Sequence, residues 1–104
     1  MGLATPRVLT ERRGHVLEIA LDRPDKLNAF DLAMLRQLAK AFTEFEEDDD
    51  LRCALLVANG SAFTAGLDLA EVGPSVQAGE PLFPPADVDP LSLGSRRRTK
   101  PVVM

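Results

Sequence analysis

An amphipathic helix flanked by two short apolar runs constrains this fold more than any other feature of the sequence. Val16 to Leu21 is a nearly continuous apolar segment, which is typical of a strand buried on both faces of a sheet. A second apolar run, Ala54 to Ala58, ends at the turn pair Asn59-Gly60. Strand, helix and strand within about 45 residues predict a βαβ unit, whose two strands are parallel and whose crossover is right-handed.

The helix between these strands has a well-defined apolar stripe and a candidate N-cap. Its apolar side chains recur at spacings of three and four and therefore share one helix face: Leu32, Leu35, Leu38, Ala39, Phe42 and Phe45. Asp31 directly precedes the stripe, where a carboxylate can accept a free backbone N–H and favour the positive end of the helix dipole. The helix should end within residues 46–50, because consecutive negative charges oppose a helix C-terminus.

Both ends of the chain add further elements to this unit. Val8 to Glu11 and His15 to Leu21 predict two strands around a turn at Arg13-Gly14. Five of the eight prolines lie between residues 74 and 90, so residues 74–95 are predicted to form a proline-rich loop. Thr99 to Met104 turns apolar again and predicts the beginning of another strand.

Length and composition limit the class of protein. A chain of 104 residues with 45% apolar content can build one core, which excludes general disorder and leaves no room for a second domain. There is no run of about 18 apolar residues and no basic-then-apolar N-terminus, so we expect neither a membrane partner nor a signal peptide. The single cysteine, Cys53, cannot form an internal disulfide, which suits a reducing, cytoplasmic location and a small buried side chain.

The distribution of charge excludes a further class of partner. The net charge is −4, but four of the twelve cations lie within residues 96–100, which leaves residues 1–95 at −8. Because nucleic-acid binders need positive charge over a whole face, no nucleic-acid partner is expected. The basic cluster at 96–100 fits either a solvated loop or a landing point for a ligand's phosphates. The acidic run 48–50 lacks the alternating ligands and central glycine of a calcium loop, so no metal is expected.

The segment best suited to chemistry, residues 61–71, follows the second apolar strand. Ligand sites of α/β proteins concentrate at this carboxyl end of parallel strands. Ala62, Ala65 and Gly66 are small enough to let the backbone approach a ligand closely. If a helix begins near Asp68, the free N–H groups around Gly66 and Leu67 can bind an anion or a developing oxyanion. The same pattern also opens many helices that bind nothing, so this segment alone leaves both interpretations open.

Two blocks of sequence, residues 23–30 and 63–69, carry a resemblance to a known family. With the leucine-rich helix between them and the Lys-Pro-Val-Val segment at 100–103, they resemble the opening half of the enoyl-CoA hydratase/isomerase (crotonase) family. The correspondence runs from about Val8 to Met104, and both blocks occur in the family's order. The resemblance implies an α/β fold of repeated ββα units wound into a spiral. Residues 1–104 would form its N-terminal part, with no second domain.

The resemblance also implies what the site does. Such enzymes bind acyl-CoA thioesters and polarise the thioester carbonyl with two backbone N–H groups. No separate cofactor is expected, because coenzyme A is part of the substrate. The first N–H comes from the position of Leu67, and Asp68 is expected to brace the turn as a helix cap rather than perform chemistry. The positions implied to lie along the substrate are Lys26, Leu27, Ala29, Ala65, Gly66, Leu67 and Asp68.

Departures from the family pattern are small within the chain and large at its end. Thr64 stands where Ser, Cys or Ala is usual, and Asp22 replaces the commoner Asn. The resemblance places the second N–H and the proton-transferring acids after Met104, so the 104-residue chain alone is expected to be inactive. Its parent would be a cytoplasmic hydratase (a lyase) or isomerase of fatty acid metabolism, assembled as a trimer or hexamer. The alternative is a non-catalytic binding or assembly module with the same partial fold.

Overall fold

A four-stranded sheet with a long helix packed on it forms most of the described part of the chain. The computed structural model describes residues 7–64, 66–79, 88 and 99–103. The strands follow one another across the sheet in chain order: β1 (Val8–Arg13), β2 (Val16–Leu21), β3 (Cys53–Ala58) and β4 (Val102–Val103). Helix α1 (Leu32–Glu47) connects β2 to β3, and α2 (Leu69–Gln77) follows β3.

Strand pairing confirms the predicted parallel βαβ unit. β2 and β3 are parallel in a register that runs from Val16 opposite Cys53 to Leu21 opposite Ala58. β1 is antiparallel to β2 and extends through Arg13, which pairs with Val16. The turn therefore comprises Gly14 and His15 rather than Arg13 and Gly14. Gly14 has a φ of +60°, which lets the chain reverse directly after Arg13.

Helix α1 supplies the apolar layer that covers one face of the sheet. The Asp31 carboxylate accepts the Met34 N–H at 2.8 Å, which confirms the predicted N-cap. The buried residues of the helix match most of the predicted stripe and add two positions to it: Met34, Leu35, Leu38, Ala39, Ala41, Phe42 and Phe45. Opposite them, Leu17, Ile19 and Leu21 of β2 are buried.

The outer face of the sheet differs from the prediction. Burial alternates along β2, and Val16, Glu18 and Ala20 are only half-buried, so the strand is not buried on both faces. Cys53 of β3 is likewise half-buried. The apolar run in β2 combines the residues buried against α1 with Val16 and Ala20, which lie on the half-buried face beside Glu18.

The segment predicted as a proline-rich loop begins with helix. Residues 74–77 belong to α2, which carries Pro74 inside it. Proline fixes φ in the helical range and removes a single N–H, and the Ala78 N–H still donates to Pro74 O at 3.0 Å. Val88 is buried, whereas residues 80–87 and 89–95 lie outside the described residues. None of the described helices is both long and apolar enough to cross a membrane.

Lys100 attaches the β4 edge to the C-terminal end of α1. Its Nζ donates to three carbonyl oxygens, at 3.0 Å to Phe45, 2.6 Å to Asp48 and 2.8 Å to Leu51. It also lies 5.3 Å from the centroid of the Phe45 ring. The ammonium pairs with carbonyls at and just after the C-terminal end of α1 and complements the negative end of the helix dipole. Lys100 is therefore a structural cation, and Arg96 to Arg98 of the same basic cluster lie outside the described residues.

Two carboxylates near this attachment have lowered pKa values. Partial burial raises the pKa of Glu46, but hydrogen bonds from Thr99 and Lys100 and the charge of Lys100 outweigh that effect and lower it. The Thr99 N–H donates to Glu46 Oε1 at 2.8 Å, and the Thr99 hydroxyl donates to the other oxygen. The pKa of Asp48 is lowered first by the Asp50 N–H and then by the Arg12 guanidinium.

Stability should therefore fall on acidification through Glu46. A carboxylate whose folded pKa is lowered stabilises the fold above its unfolded pKa, and this contribution is lost as the pH falls through the folded pKa. We expect Glu46→Gln to reduce the difference in unfolding free energy between about pH 7 and about pH 3.5, measured by urea denaturation. Thr99→Val keeps the carboxylate and removes one donor, so it should give a smaller change in the same direction. An unaltered pH dependence in both variants contradicts this assignment.

A close approach of two loops beyond the parallel strands requires a glycine. Gly60 has a φ of +95°, and a Cβ at this position would lie 2.7 Å from Pro24 Cβ, which is shorter than any ordinary carbon–carbon contact. Gly14 has a similar φ of +60° with no atom within 4 Å of the same imagined Cβ. Both glycines have a positive φ, but only at Gly60 would a side chain also clash with a neighbouring residue.

This pair of glycines gives a matched test of the contact. Gly14→Ala should cost about 1 kcal/mol through backbone strain alone, whereas Gly60→Ala should cost about 2–4 kcal/mol because the Pro24 clash adds to the strain. The free energy of unfolding from urea titration measures both. Equal losses in the two variants would show that Pro24 gives way without cost.

Candidate functional site

The parallel pairing of β2 and β3 brings two loops to one edge of the sheet. β2 ends at Leu21 and β3 at Ala58, and these two residues are paired in the register. The loop of residues 22–31, called the first loop, therefore begins beside the loop of residues 59–68, called the second loop. The Asn59 N–H donates to Leu21 O at 2.9 Å, so the two strands remain joined where the loops diverge.

Farther along, the two loops are joined by a single parallel bridge between Phe30 and Leu67. The Phe30 N–H donates to Gly66 O at 2.7 Å, and the Asp68 N–H donates to Phe30 O at 2.8 Å. This bridge continues the parallel relation of β2 and β3 beyond the strands themselves. It fixes the backbone on both sides of Leu67, the position predicted from the resemblance to supply a donor.

Asn28 clamps the two loops together from inside. Its side chain is fully buried, and its Nδ2 donates to Asn59 O at 2.7 Å and to Ala62 O at 2.8 Å. Its Oδ1 accepts the Arg23 N–H at 2.7 Å, so both ends of the amide are satisfied. Asn28 has a φ of +56°, a conformation that asparagine tolerates better than most residues. The sequence alone predicts no role for Asn28, and its one local signal is the tolerance of asparagine for a left-handed backbone.

The bridge determines where the Leu67 N–H points. A peptide unit is planar and trans, so the Leu67 N–H points opposite to Gly66 C=O, which the Phe30 N–H holds. Among the described residues, none accepts the Leu67 N–H. The Gly66 N–H was also expected to be free, but it donates to Thr64 Oγ1 at 3.0 Å. Of the two N–H groups expected to be free, at Gly66 and Leu67, only that of Leu67 therefore lacks an acceptor among the described residues.

Glycine and threonine set the backbone immediately before this donor. Gly66 has a φ of +90°, which L-residues with a side chain rarely adopt. The Thr64 hydroxyl donates to Asn28 O at 2.7 Å while its oxygen accepts the Gly66 N–H. Thr64, noted in the sequence as a small departure, therefore has both hydrogen-bonding capacities in use between the loops.

Asp68 does not act as the predicted side-chain cap. It occupies the N-cap position of α2, but its carboxylate makes no cap hydrogen bond. Its Oδ2 instead accepts from Arg23 Nη1 at 3.1 Å. The Arg23 side chain is only 7% exposed, and a nearly buried guanidinium attracts a carboxylate more strongly than a helix N-terminus does. Asp68 braces the turn through a different partner from the one expected.

The remaining predicted positions lie in the same two loops. Lys26 and Leu27 are exposed, and Leu27 has a left-handed φ of +52° directly after the short 3₁₀ turn Pro24–Lys26. Ala29 is half-buried, and Ala65 lies outside the described residues. The structure therefore brings residues 26–29 and 66–68 to one edge of the sheet.

A cavity in the described part of the chain lies away from that edge. It has a volume of about 640 Å³ and is lined by β1 and the end of α1, including Thr10, Arg12 and Asp48. No residue of either loop lines it. This cavity and the backbone donor thus lie in different places, and the oriented donor at Leu67 identifies the loop edge as the candidate site.

Comparisons with known proteins identify the family to which the chain is similar. The model of the family described as enoyl-CoA hydratase/isomerase matches residues 11–93. Enoyl-CoA hydratase EchA19 of Mycobacterium tuberculosis is 37% identical over 103 residues, which cover 94% of this chain and 38% of that protein. Mevalonyl-coenzyme A hydratase SIDH of Beauveria bassiana is 35% identical over 96 residues, covering 86% of this chain and 34% of that protein.

Solved structures give the same result for the fold. A probable enoyl-CoA hydratase/isomerase from Mycobacterium abscessus has a TM-score of 0.89 and 44% identity, over 95% of this chain and 38% of that one. The chain thus spans less than two fifths of the length of these relatives. The family match and the agreement of the fold confirm the resemblance seen in the sequence: the chain belongs to the enoyl-CoA hydratase/isomerase (crotonase) family, as an N-terminal portion of its α/β fold.

Proposed function

We propose that this chain forms the acyl-CoA-binding part of an enoyl-CoA hydratase/isomerase, and that the Leu67 N–H donates to the thioester carbonyl oxygen. The observation that carries this proposal is the fixed direction of the Leu67 N–H, which follows from the bridge to Phe30. Its neighbours are held, with the Gly66 N–H on Thr64 and the Asp68 N–H on Phe30, while no described residue accepts from Leu67. Family membership supplies the class of substrate.

A donor of this kind acts on the charge that develops during reaction. When a proton leaves the carbon next to a thioester, or a nucleophile adds to the conjugated double bond, negative charge moves onto the carbonyl oxygen. An N–H already aimed at that oxygen stabilises the charge without reorganising, and one such donor is typically worth about 3–4 kcal/mol in enzymes. A second donor and the groups that move protons would be supplied by the rest of a family-length protein.

The other loop positions suit the remainder of the substrate. Lys26 offers an exposed cation at the site edge, where it can approach the phosphates of coenzyme A. Leu27 offers an exposed apolar side chain beside it, 50% accessible to solvent. We assign Lys26, Leu27, Ala29, Ala65, Gly66 and Asp68 to the same substrate surface, with no separate cofactor.

Removing the Leu67 N–H should abolish the interaction. An ester at this position, introduced by semisynthesis, replaces N–H by oxygen and leaves the side chain unchanged, while Leu67→Pro removes the same hydrogen genetically. We expect a short 2-enoyl-CoA to shift the Leu67 amide resonance of the ¹⁵N-labelled chain. Both changes should weaken binding by about tenfold, and in a family-length enzyme they should lower kcat by about a hundredfold or more.

The matched control is Leu67→Ala, which keeps the N–H and removes most of the side chain. It should retain the ligand-induced amide shift and most of the affinity. A 2-enoyl-CoA that leaves the wild-type Leu67 resonance unmoved at saturation, or that binds the ester form as tightly as the wild type, contradicts the proposal.

A further inference from the structure

We propose that Arg23 is a positioning residue that orients and polarises the Leu67 N–H through two hydrogen-bonded peptide units; this inference rests on the proposed function of that donor. Arg23 is in neither the predicted nor the proposed set of substrate contacts. Its side chain is 7% exposed and lies beneath the loop edge. Its influence on the site passes through the backbone, one hydrogen bond at a time.

The first step is the bond from Arg23 Nη1 to Ala29 O at 2.8 Å. Ala29 C=O and the Phe30 N–H belong to the same peptide unit, which is planar and trans. Holding the oxygen therefore fixes the direction of the Phe30 N–H on the opposite side of that unit. The Phe30 N–H in turn donates to Gly66 O at 2.7 Å.

The second step repeats the same geometry. Gly66 C=O and the Leu67 N–H share the next peptide unit, so the bond from Phe30 fixes the direction of the Leu67 N–H. The result is a linear series from the guanidinium through peptide 29–30 and peptide 66–67 to the Leu67 N–H. In such a series each accepted hydrogen bond polarises its peptide and makes the N–H at the other end a stronger donor.

Charge is what distinguishes this series from an ordinary run of backbone hydrogen bonds. A guanidinium is permanently cationic and polarises an amide oxygen more strongly than a neutral N–H does. Because Arg23 is nearly buried, water screens this effect little. The guanidinium, whose charge Asp68 and Asp31 balance in part, therefore strengthens the donor at the other end of the series, where negative charge is proposed to develop on the substrate.

Two carboxylates hold the guanidinium in place for this task. Asp68 Oδ2 lies 3.1 Å from Nη1, and Asp31 Oδ2 lies 3.7 Å from Nη2. The same Nη1 therefore contacts Ala29 O and Asp68, which adjoin Phe30 and Leu67 in the sequence. This one nitrogen therefore contacts both loops, and the Asp68 carboxylate is engaged with Arg23 instead of capping α2.

The test measures the hydrogen bonds of the series directly, in the ligand-free, isotope-labelled 104-residue chain. The variants are Arg23→Gln, Arg23→Lys, which keeps a cation with several donors on one nitrogen, and semisynthetic Arg23→citrulline, which keeps the shape and removes the charge. Arg13→Gln is the matched control, since Arg13 is an exposed arginine paired with Glu11 and Glu18 far from the loops. The readouts are the Leu67 amide proton shift, the scalar coupling across the Phe30–Gly66 hydrogen bond, and hydrogen exchange at Phe30.

Loss of the charge should weaken the series locally. In Arg23→Gln and Arg23→citrulline we expect an upfield shift of the Leu67 amide proton, a smaller Phe30–Gly66 coupling and about tenfold faster exchange at Phe30. Exchange at Leu55, whose N–H faces β2 within the β2–β3 ladder, should stay as in the wild type. Arg23→Lys should preserve most of the Leu67 shift, and Arg13→Gln all of it. The citrulline form decides the matter if Arg23→Gln does not fold.

Two outcomes overturn the inference. If the Leu67 shift and the Phe30–Gly66 coupling are the same with and without the charge at position 23, the series carries no polarisation. If exchange rises equally at Phe30 and Leu55, Arg23 only stabilises the fold as a whole. Titration of the wild type with a short 2-enoyl-CoA tests the proposed function separately. If the Leu67 amide resonance does not respond, the proposed function is wrong, but the effect of Arg23 on the Leu67 N–H can still be measured.

Discussion

The parallel alignment of β2 and β3 is the constraint on which the rest of the structure depends. It follows from α1, whose buried apolar face returns the chain across the sheet so that the second strand runs in the same direction as the first. Two loops then leave the sheet side by side, with Leu21 paired to Ala58 at their common origin. An antiparallel arrangement would place the same loops at opposite ends of the sheet, and no bridge between them could form.

Beyond the strands, side chains replace the sheet ladder as partners for the backbone. Loops that pack against each other bury N–H and C=O groups, and each such group left unpaired costs about 1–3 kcal/mol. The buried Asn28 amide pairs three of these groups, and Arg23 pairs a fourth, the Ala29 carbonyl. The strained left-handed backbone at Leu27 and Asn28 is the cost of bringing that amide into position. The bridge between Phe30 and Leu67 is specific because few other arrangements satisfy the same atoms.

The sequence predicts those features of the fold that depend on residues close together in the chain. The spacing of Leu35, Leu38 and Phe42 identified the buried face of α1, and the position of Asp31 identified its cap, because both features are local. Two family-like blocks predicted that residues near 26–29 and 66–68 would meet. The proline at position 74 gave a wrong prediction, since one missing N–H does not end a helix whose next turn still closes.

The errors within the site come from contacts between residues distant in sequence. The Asp68 carboxylate was assigned to the helix that it precedes, but it pairs with Arg23, 45 residues away. The Gly66 N–H was assigned to a ligand, but a threonine hydroxyl whose own partner is Asn28 accepts it. No propensity or spacing encodes such choices, because each depends on which acceptors the folded chain brings within 3 Å or so of a donor.

The attachment of Lys100 has a consequence for the order in which the chain assembles during synthesis. Every hydrogen bond described at the loop edge joins residues up to Asp68, whereas the carbonyls at the end of α1 find their lysine 49 to 55 residues later. A ribosome releasing the chain from its N-terminus therefore exposes the complete loop edge before Lys100 is available to these three carbonyls. The loop edge that carries Leu67 can form early, whereas the C-terminal end of α1 gains its contacts with Lys100 last.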